Sequence, residues 1–347
     1  MNAQARADAT LGDVLRQHVA ESHLHEPLPN DAVRCYACGH ECLVKPGRAG
    51  VCKVRFNEGG TLYAPFGYVA GLQCDPIEKK PFFHAFPGTH ALSFGMLGCD
   101  LHCGYCQNWV TSQALRDPVA GVAPTSVSPR QIVEAALRFR AKVLTSTYNE
   151  PLITSEWAVA VFREGKAAGL IGSFVSNGNA TTRVLDYLRP YVSLYKVDLK
   201  TFQDRHYRQL GGRLQPVLDT IQELVRRDFW VEVVTLTVPG FNDSDEELRD
   251  IADFLLSVSP DIPWHVTAFH KDYKMTGPDD TPARTLLRAR GIGLSRGLRY
   301  VYAGNLPGRV ASAEDTTCPS CGTTLVRRHG FRVVENRLRD GRCAQCN

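Results

Sequence analysis

Three cysteines in Cys99-Asp-Leu-His-Cys103-Gly-Tyr-Cys106 are separated by three and by two intervening residues, directly after Ser93-Phe94-Gly95-Met96-Leu97-Gly98. Iron–sulfur clusters are held by cysteine thiolates, four for a [4Fe–4S] cubane. A loop that offers only three leaves one iron open to a further ligand. A zinc knuckle or three buried thiols are the plainer readings of the same spacing.

Eleven of the twelve cysteines fall into three spaced groups. The first is Cys35, Cys38, Cys42 and Cys52, with glycines at 39, 47 and 50 that let the chain wrap tightly. Four thiolates here can close a tetrahedral metal site or hold a second iron–sulfur cluster, and the sequence leaves zinc and cluster open. His40 can stand in for one thiolate. The Cys99 loop is the second group. The third is Cys318, Cys321, Cys343 and Cys346, two C-x2-C pairs that read as a zinc ribbon. So small a module has little core, and a metal would supply most of its folding free energy. Arg327, Arg328, His329 and Arg332 lie nearby. They read as a solvated basic face and leave nucleic-acid contact undecided. Cys74, left over, reads as a small buried thiol. Metal-type spacings rather than a disulfide framework fit a cytoplasmic location.

The chain has 347 residues and a net charge of +4. That suits one large domain with small appendages, and the charge is too mild to argue for nucleic acid or a membrane surface. No apolar run reaches membrane-spanning length. Met1 to His25 lacks the apolar core of a signal peptide, while Leu11, Val14, Leu15 and Val19 fall at helical spacing.

The elements that must position these groups follow in order. Residues 26–34 read as a loop and 53–73 as short antiparallel strands. Asp75-Pro-Ile-Glu-Lys-Lys-Pro81 reads as a solvated linker, or as a segment lying over the Cys99 loop. Strands are expected at 91–96, 142–147, 172–177, 193–199, 230–238 and 263–269. Helices are expected at 129–140, 154–169, 180–189, 214–227 and 244–258, then a helix at 282–292 and a strand at 299–303. Strand–helix alternation gives a parallel sheet, and six units make an open α/β partial barrel, a TIM-like (βα)6, rather than a closed eight. Ligands bind such sheets at the carboxyl ends of the strands. Polar motifs fall at those ends: Thr147-Tyr148-Asn149-Glu150, Ser176-Asn177, Asp198-Leu-Lys200, Thr237 to Asp243, and Phe269-His270. The expected division is 1–34 helix and loop, 35–90 cysteine-rich region, 91–305 barrel, and 306–347 ribbon-like module.

Over roughly residues 33–347 these motifs resemble a known group. They are Cys35-x2-Cys38-x3-Cys42, Gly50-x-Cys52, Asp75-Pro-Ile-Glu-Lys-Lys, Cys99 to Asn108 with Tyr105 before the third cysteine, Tyr148-x-Glu150-Pro151, Val197-Asp-Leu-Lys200 and Val301-Tyr-x-Gly304-Asn305. The chain resembles the AmmeMemoRadiSam-system radical S-adenosylmethionine (radical SAM) enzymes, which are similar to pyruvate formate-lyase activating enzymes. The resemblance implies a radical SAM oxidoreductase. Cys99, Cys103 and Cys106 would hold a [4Fe–4S] cluster whose open iron binds SAM, and cleavage of SAM would give a 5′-deoxyadenosyl radical. It implies SAM contacts from Tyr105, Tyr148, Asn149, Glu150, Ser176, Asn177, Asp198, Lys200 and His270. The stretch Thr147–Glu150 takes the place of a glycine–glycine–glutamate stretch, and Val175 replaces an aspartate. Implied partners are an electron donor such as flavodoxin or ferredoxin and a polypeptide whose glycine loses hydrogen. Radical modification of RNA or of a small molecule is the alternative. A zinc-dependent module that binds nucleic acid or protein is a more distant one, since it explains the outer cysteines but not the strand-end motifs.

Overall fold

The computed structural model describes residues 10–346. The first nine residues, where the reading for a signal-peptide core begins, and Asn347 lie outside them.

Eight strands form the main sheet in sequence order: β1 (Gly71–Pro76), β2 (His90–Gly95), β3 (Val143–Ser146), β4 (Ile171–Ser176), β5 (Leu194–Asp198), β6 (Trp230–Thr237), β7 (Trp264–Ala268) and β8 (Val301–Gly304). β2 to β8 are parallel throughout. The edges, β1 and β8, do not pair with each other, so the sheet is open. Helices α1 (Pro129–Arg138), α2 (Ser155–Ala167), α3 (Thr182–Leu188), α4 (Leu214–Arg226), α5 (Asp245–Val258) and α6 (Ala283–Arg296) connect successive parallel strands. The six expected strand–helix units are therefore present, and β8 closes the series.

Local chemistry explains the element ends. Ser128 caps α1 in a capping box with Gln131, and Pro129 takes the first turn where no N–H is needed. Ser244 caps α5 ahead of Asp245, Glu246 and Glu247, which suit the helix dipole. α6 stops at Gly297, whose φ of 113° is open to glycine. The core between sheet and helices holds Phe94, Trp157, Phe162, Phe174 and Tyr195, all fully buried.

The short antiparallel strands expected over 53–73 are present: Phe56–Glu58 pairs with Thr61–Pro65, and Gly71–Gln73 opens β1, which joins the main sheet antiparallel to β2. The connection from Ile77 to Thr89 carries a short Ile77–Lys79 turn rather than a full crossover helix, so antiparallel pairing is the natural outcome. Other expectations are corrected. Residues 26–34 are not all loop: His25–Pro27 and Val33–Cys35 pair as strands. The helix around Leu11 ends at Leu15, and Val19 instead opens a strand paired with Thr61–Pro65, because sheet pairing outweighs the helical period. The Asp75–Pro81 segment neither solvates nor covers the Cys99 loop. Ile77, Phe82 and Ala85 pack on Ala91, Val143 and Leu194 at the amino ends of the strands, the end opposite the cysteine loop. The segment is a floor for the barrel.

The tail docks on that floor. Strands β9 (Thr316–Thr317), β10 (Thr324–His329) and β11 (Arg332–Asn336) form a small antiparallel sheet. Arg328, read as part of a solvated basic face, is buried instead. It donates to the Phe83 carbonyl at 2.6 Å and to Thr316 Oγ1 at 2.7 Å, and its guanidinium lies 4.3 Å from the Phe83 ring centroid.

Candidate active site

The Cys99 loop leaves the carboxyl end of β2 and is held by its neighbours' backbone. Met96 N donates to Asn149 Oδ1 at 2.9 Å, His102 N to Leu210 O at 2.9 Å, and Lys274 N to Gly104 O at 3.0 Å. Arg116 donates to Cys99 O at 2.7 Å. Leu101 N points at Cys99 Sγ from 3.4 Å, and Ser112 Oγ lies 3.2 Å from Cys106 Sγ. Burial pushes the Cys103 thiol up to about 12 and raises Cys99, which Asp100 and Glu150 raise further. Buried thiols of this kind stay protonated unless a metal takes the proton's place. Three cysteine sulfurs on one loop are the donor type that an iron–sulfur cluster takes. Tyr105 is buried in the same apolar group as Cys103, its ring 6.0 Å from Phe241.

Two hydrogen-bonded clusters flank the loop. In the first, Glu150 accepts from Ser176 Oγ at 2.7 Å, Asn177 N at 2.8 Å and Leu152 N at 3.0 Å. Asn177 Nδ2 donates to Asp100 at 2.6 Å and Asn179 Nδ2 at 2.8 Å. Glu150 forms no salt bridge to a lysine or arginine among the described residues, and burial, with Asp100 second, raises its carboxyl to about 8. A buried carboxyl held ready for a cation suits the ammonium of an amino acid.

In the second cluster, Asp198 is shared by two lysines. Lys196 pairs with one oxygen, and Lys200 lies 3.4 Å from the other. Burial lowers the Lys200 ammonium, but Asp198, Cys103 and Tyr105 together lift it well above its ordinary value. The ion pair of Asp198 and Lys200 that their spacing permits thus exists. Lys196, 4% exposed, escaped the sequence reading because a lone lysine inside a strand looks like ordinary alternation. Asp100, Asn179 and Arg116 also escaped it, since only long-range packing brings them to the loop.

The expected contact residues divide. Glu150, Ser176, Asn177, Asp198 and Lys200 gather beside the cysteine loop, and Asn149 shapes that loop. Tyr148 turns its hydroxyl toward Lys80, 3.5 Å away, and His270 sits exposed at the rim with its ring 3.2 Å from Lys271 O. Cys74, read as buried, is partly exposed on the edge strand β1.

In the tail, Cys318 Sγ lies 3.5 Å from Cys346 Sγ and Cys321 Sγ lies 3.8 Å from Cys343 Sγ. All four sulfurs fall within 4.8 Å of one another, so this group could bind a metal. No helix among the described residues is long and apolar enough to cross a membrane.

Comparison with known proteins adds the following. The radical SAM superfamily profile matches residues 95–255. An uncharacterised protein of Methanocaldococcus jannaschii is 35% identical over 330 residues, covering 94% of this chain and 97% of that protein. A pyruvate formate-lyase-activating enzyme of Staphylococcus epidermidis is 25% identical over 203 residues, covering 53% of this chain and 78% of that one. Among solved structures, a domain of a pyruvate-formate lyase-activating enzyme from Bacteroides vulgatus matches 46% of this chain and 98% of its own, at 19% identity and a TM-score of 0.41.

Proposed function

The chain belongs to the radical SAM superfamily, and we propose that it abstracts hydrogen from a glycine of a partner polypeptide, with Cys99, Cys103 and Cys106 as its cluster ligands. When bound, the [4Fe–4S] cluster supplies the electron that cleaves SAM to methionine and a 5′-deoxyadenosyl radical. The observation that carries the reading is the three-thiol loop at the end of β2, set between a buried carboxyl with no lysine or arginine partner among the described residues and a lysine-flanked aspartate.

The chain's own groups then take definite parts. Glu150, fixed by Ser176 and Asn177, receives the ammonium of SAM. Lys200 meets its carboxylate, with Asp198, itself paired to Lys196, holding the lysine in place. Asn149 and Arg116 fix the loop's path. Tyr105 and Phe241 keep water from the thiols. Similarity to the activating enzymes supports a polypeptide glycine as the hydrogen donor. The sulfur spacing of the tail supports zinc there, and Cys35, Cys38, Cys42 and Cys52 form a separate metal site.

The test is anaerobic reconstitution, reduction with a low-potential one-electron carrier, and assay of 5′-deoxyadenosine from SAM. Cys103→Ala should lose both this product and the loop's cluster absorbance, since two thiolates do not hold the cubane. Wild-type rates of SAM cleavage in the variant would reject the ligand assignment. Deuterium transfer from a labelled glycine of a candidate partner into 5′-deoxyadenosine tests the substrate.

A further inference from the structure

The motif Asp75-Pro-Ile-Glu-Lys-Lys80 and Tyr148 meet on the face of the main sheet turned away from α2. Phe94 of β2 packs on Phe162 of α2 at 5.7 Å, so by alternation Ser93 and Gly95 face the other side. Gly71, Gln73 and Asp75 of β1 stand opposite Gly95, Ser93 and Ala91 and share that side. β1 is an edge strand of the sheet. Gln73 is exposed, and Asp75 and Tyr148 are half-buried, so solvent reaches this corner from the edge.

Tyr148 is held there against its backbone preference. Its φ of 70° lies in the left-handed region, uncommon for a residue other than glycine. Strain of this kind persists where the surrounding structure enforces it. Glycines make room for the ring: a Cβ on Gly95 would stand 2.8 Å from Tyr148 Cβ, and one on Gly71 3.4 Å from the ring. Tyr148 O accepts from Thr111 Oγ1 at 2.8 Å, and Thr111 O accepts from Gly98 N at 3.0 Å. The tyrosine is thereby tied to the residue that precedes Cys99.

Lys80 comes up to it from the floor. Its side chain is 4% exposed, and Nζ donates to Asp75 Oδ2 at 2.8 Å. Lys79 takes the other oxygen of Asp75 at 3.0 Å. Two ammonium groups thus share one carboxylate, which leaves one positive charge over. The Tyr148 hydroxyl lies 3.5 Å from Lys80 Nζ, too far for a strong bond, so an ammonium with three N–H groups keeps donors to spare. Ser93 Oγ is close enough to the Tyr148 hydroxyl to affect its proton. It is wholly buried, yet makes no hydrogen bond of ordinary geometry among the described residues. Buried polar groups are normally satisfied. A stitch between Asp75 and Lys80 alone requires neither the strained tyrosine nor the idle serine.

An ammonium, a phenol and a hydroxyl therefore converge at the sheet edge, beside the cysteine loop. One spare positive charge with several donors matches a carboxylate. We propose that Lys80, Tyr148 and Ser93 bind a carboxylate, an acidic side chain of the polypeptide that gives up hydrogen. The identity of the occupant rests on the function proposed above; the site does not.

Fluorine NMR on the reconstituted protein, with SAM saturating so that the Lys200 side is occupied, tests it with trifluoroacetate as the probe. Binding should be saturable, and neutral trifluoroacetamide should not bind. Lys80→Met should weaken the probe about tenfold or more, and Tyr148→Phe about threefold. A blocked glutamate–glycine dipeptide should displace the probe, and its glutamine–glycine counterpart should not. No saturable binding to the wild type overturns the proposal, as does wild-type affinity in either folded variant. Equal displacement by the two dipeptides overturns the assigned occupant. Should Lys80→Met fail to fold, by circular dichroism, Tyr148→Phe decides, since it keeps the pair with Asp75. None of these readouts uses SAM cleavage. A wild type that forms no 5′-deoxyadenosine would reject the proposed reaction and leave the carboxylate site standing.

Discussion

Glu150 is a carboxyl held by three donors and, among the described residues, paired with no lysine or arginine. Its folded value of about 8 stands above the roughly 4.3 of an unfolded glutamate. Between the two, the folded chain keeps a proton that the unfolded chain has released, so stability falls as pH rises. Apoprotein urea midpoints should therefore drop between about pH 5 and pH 8, and Glu150→Gln should flatten that drop. A variant with the wild-type slope would place the titration elsewhere. Lys200 makes a second prediction. Its ammonium is shared with Asp198 at 3.4 Å, and losing a charge-assisted bond costs about 1.5–3 kcal/mol. Lys200→Met should weaken SAM binding at least several-fold by calorimetry with the cluster spectrum intact. Unchanged affinity would return the lysine to a purely structural pair.

At the scale of elements, the cysteine-rich region is pinned to the barrel by one buried ion pair. Arg55 pairs with Glu156 of α2 and also donates to Ser22 Oγ at 2.9 Å and Ile153 O at 2.8 Å. Both side chains are almost wholly buried. Removing one partner strands the other charge, which costs about 3–5 kcal/mol. Arg55→Met should lower the urea-unfolding free energy of the reconstituted protein by that amount, whereas a change under about 1 kcal/mol would mark the pair as exposed in solution. The strap from Phe269 to Thr281 fits the same picture. It lays Lys274 N on Gly104 O and stacks Tyr273 on Trp109 at 5.1 Å, so β7's outgoing loop helps to fix the Cys99 loop of β2.

The main sheet has a distinct chemistry at each end of its parallel strands. Thiols and buried carboxyls crowd the carboxyl ends of the strands. The amino ends are closed by the segment from Ile77 to Phe86, which Glu232 fastens by accepting from Phe83 N and His84 N, both at 3.0 Å. The tail seals that floor through Arg328. Arg328→Leu should speed hydrogen exchange in residues 77–88 and 311–336 while leaving the Cys99 cluster absorbance unchanged. Protection equal to wild type would show that the tail does not hold the floor.

The cysteine spacings and the strand–helix alternation are local properties of the chain, so the three cysteine groups, the six repeated units and the polar strand ends were legible from the sequence. Ligand spacing of two or three residues is set by the reach of a loop around a centre, and amphipathic period by which face meets the core. What needed the tertiary structure was every relation between distant segments. Asp100 meets Asn177 and Asn179 across 77 and 79 residues. Lys80 comes to lie 3.5 Å from Tyr148 across 68 residues, and Arg328 reaches Phe83 across 245. Composition made the Asp75–Pro81 segment look solvated because charges usually seek water, yet Glu78 and Lys80 are buried with partners at Gly88 and Asp75.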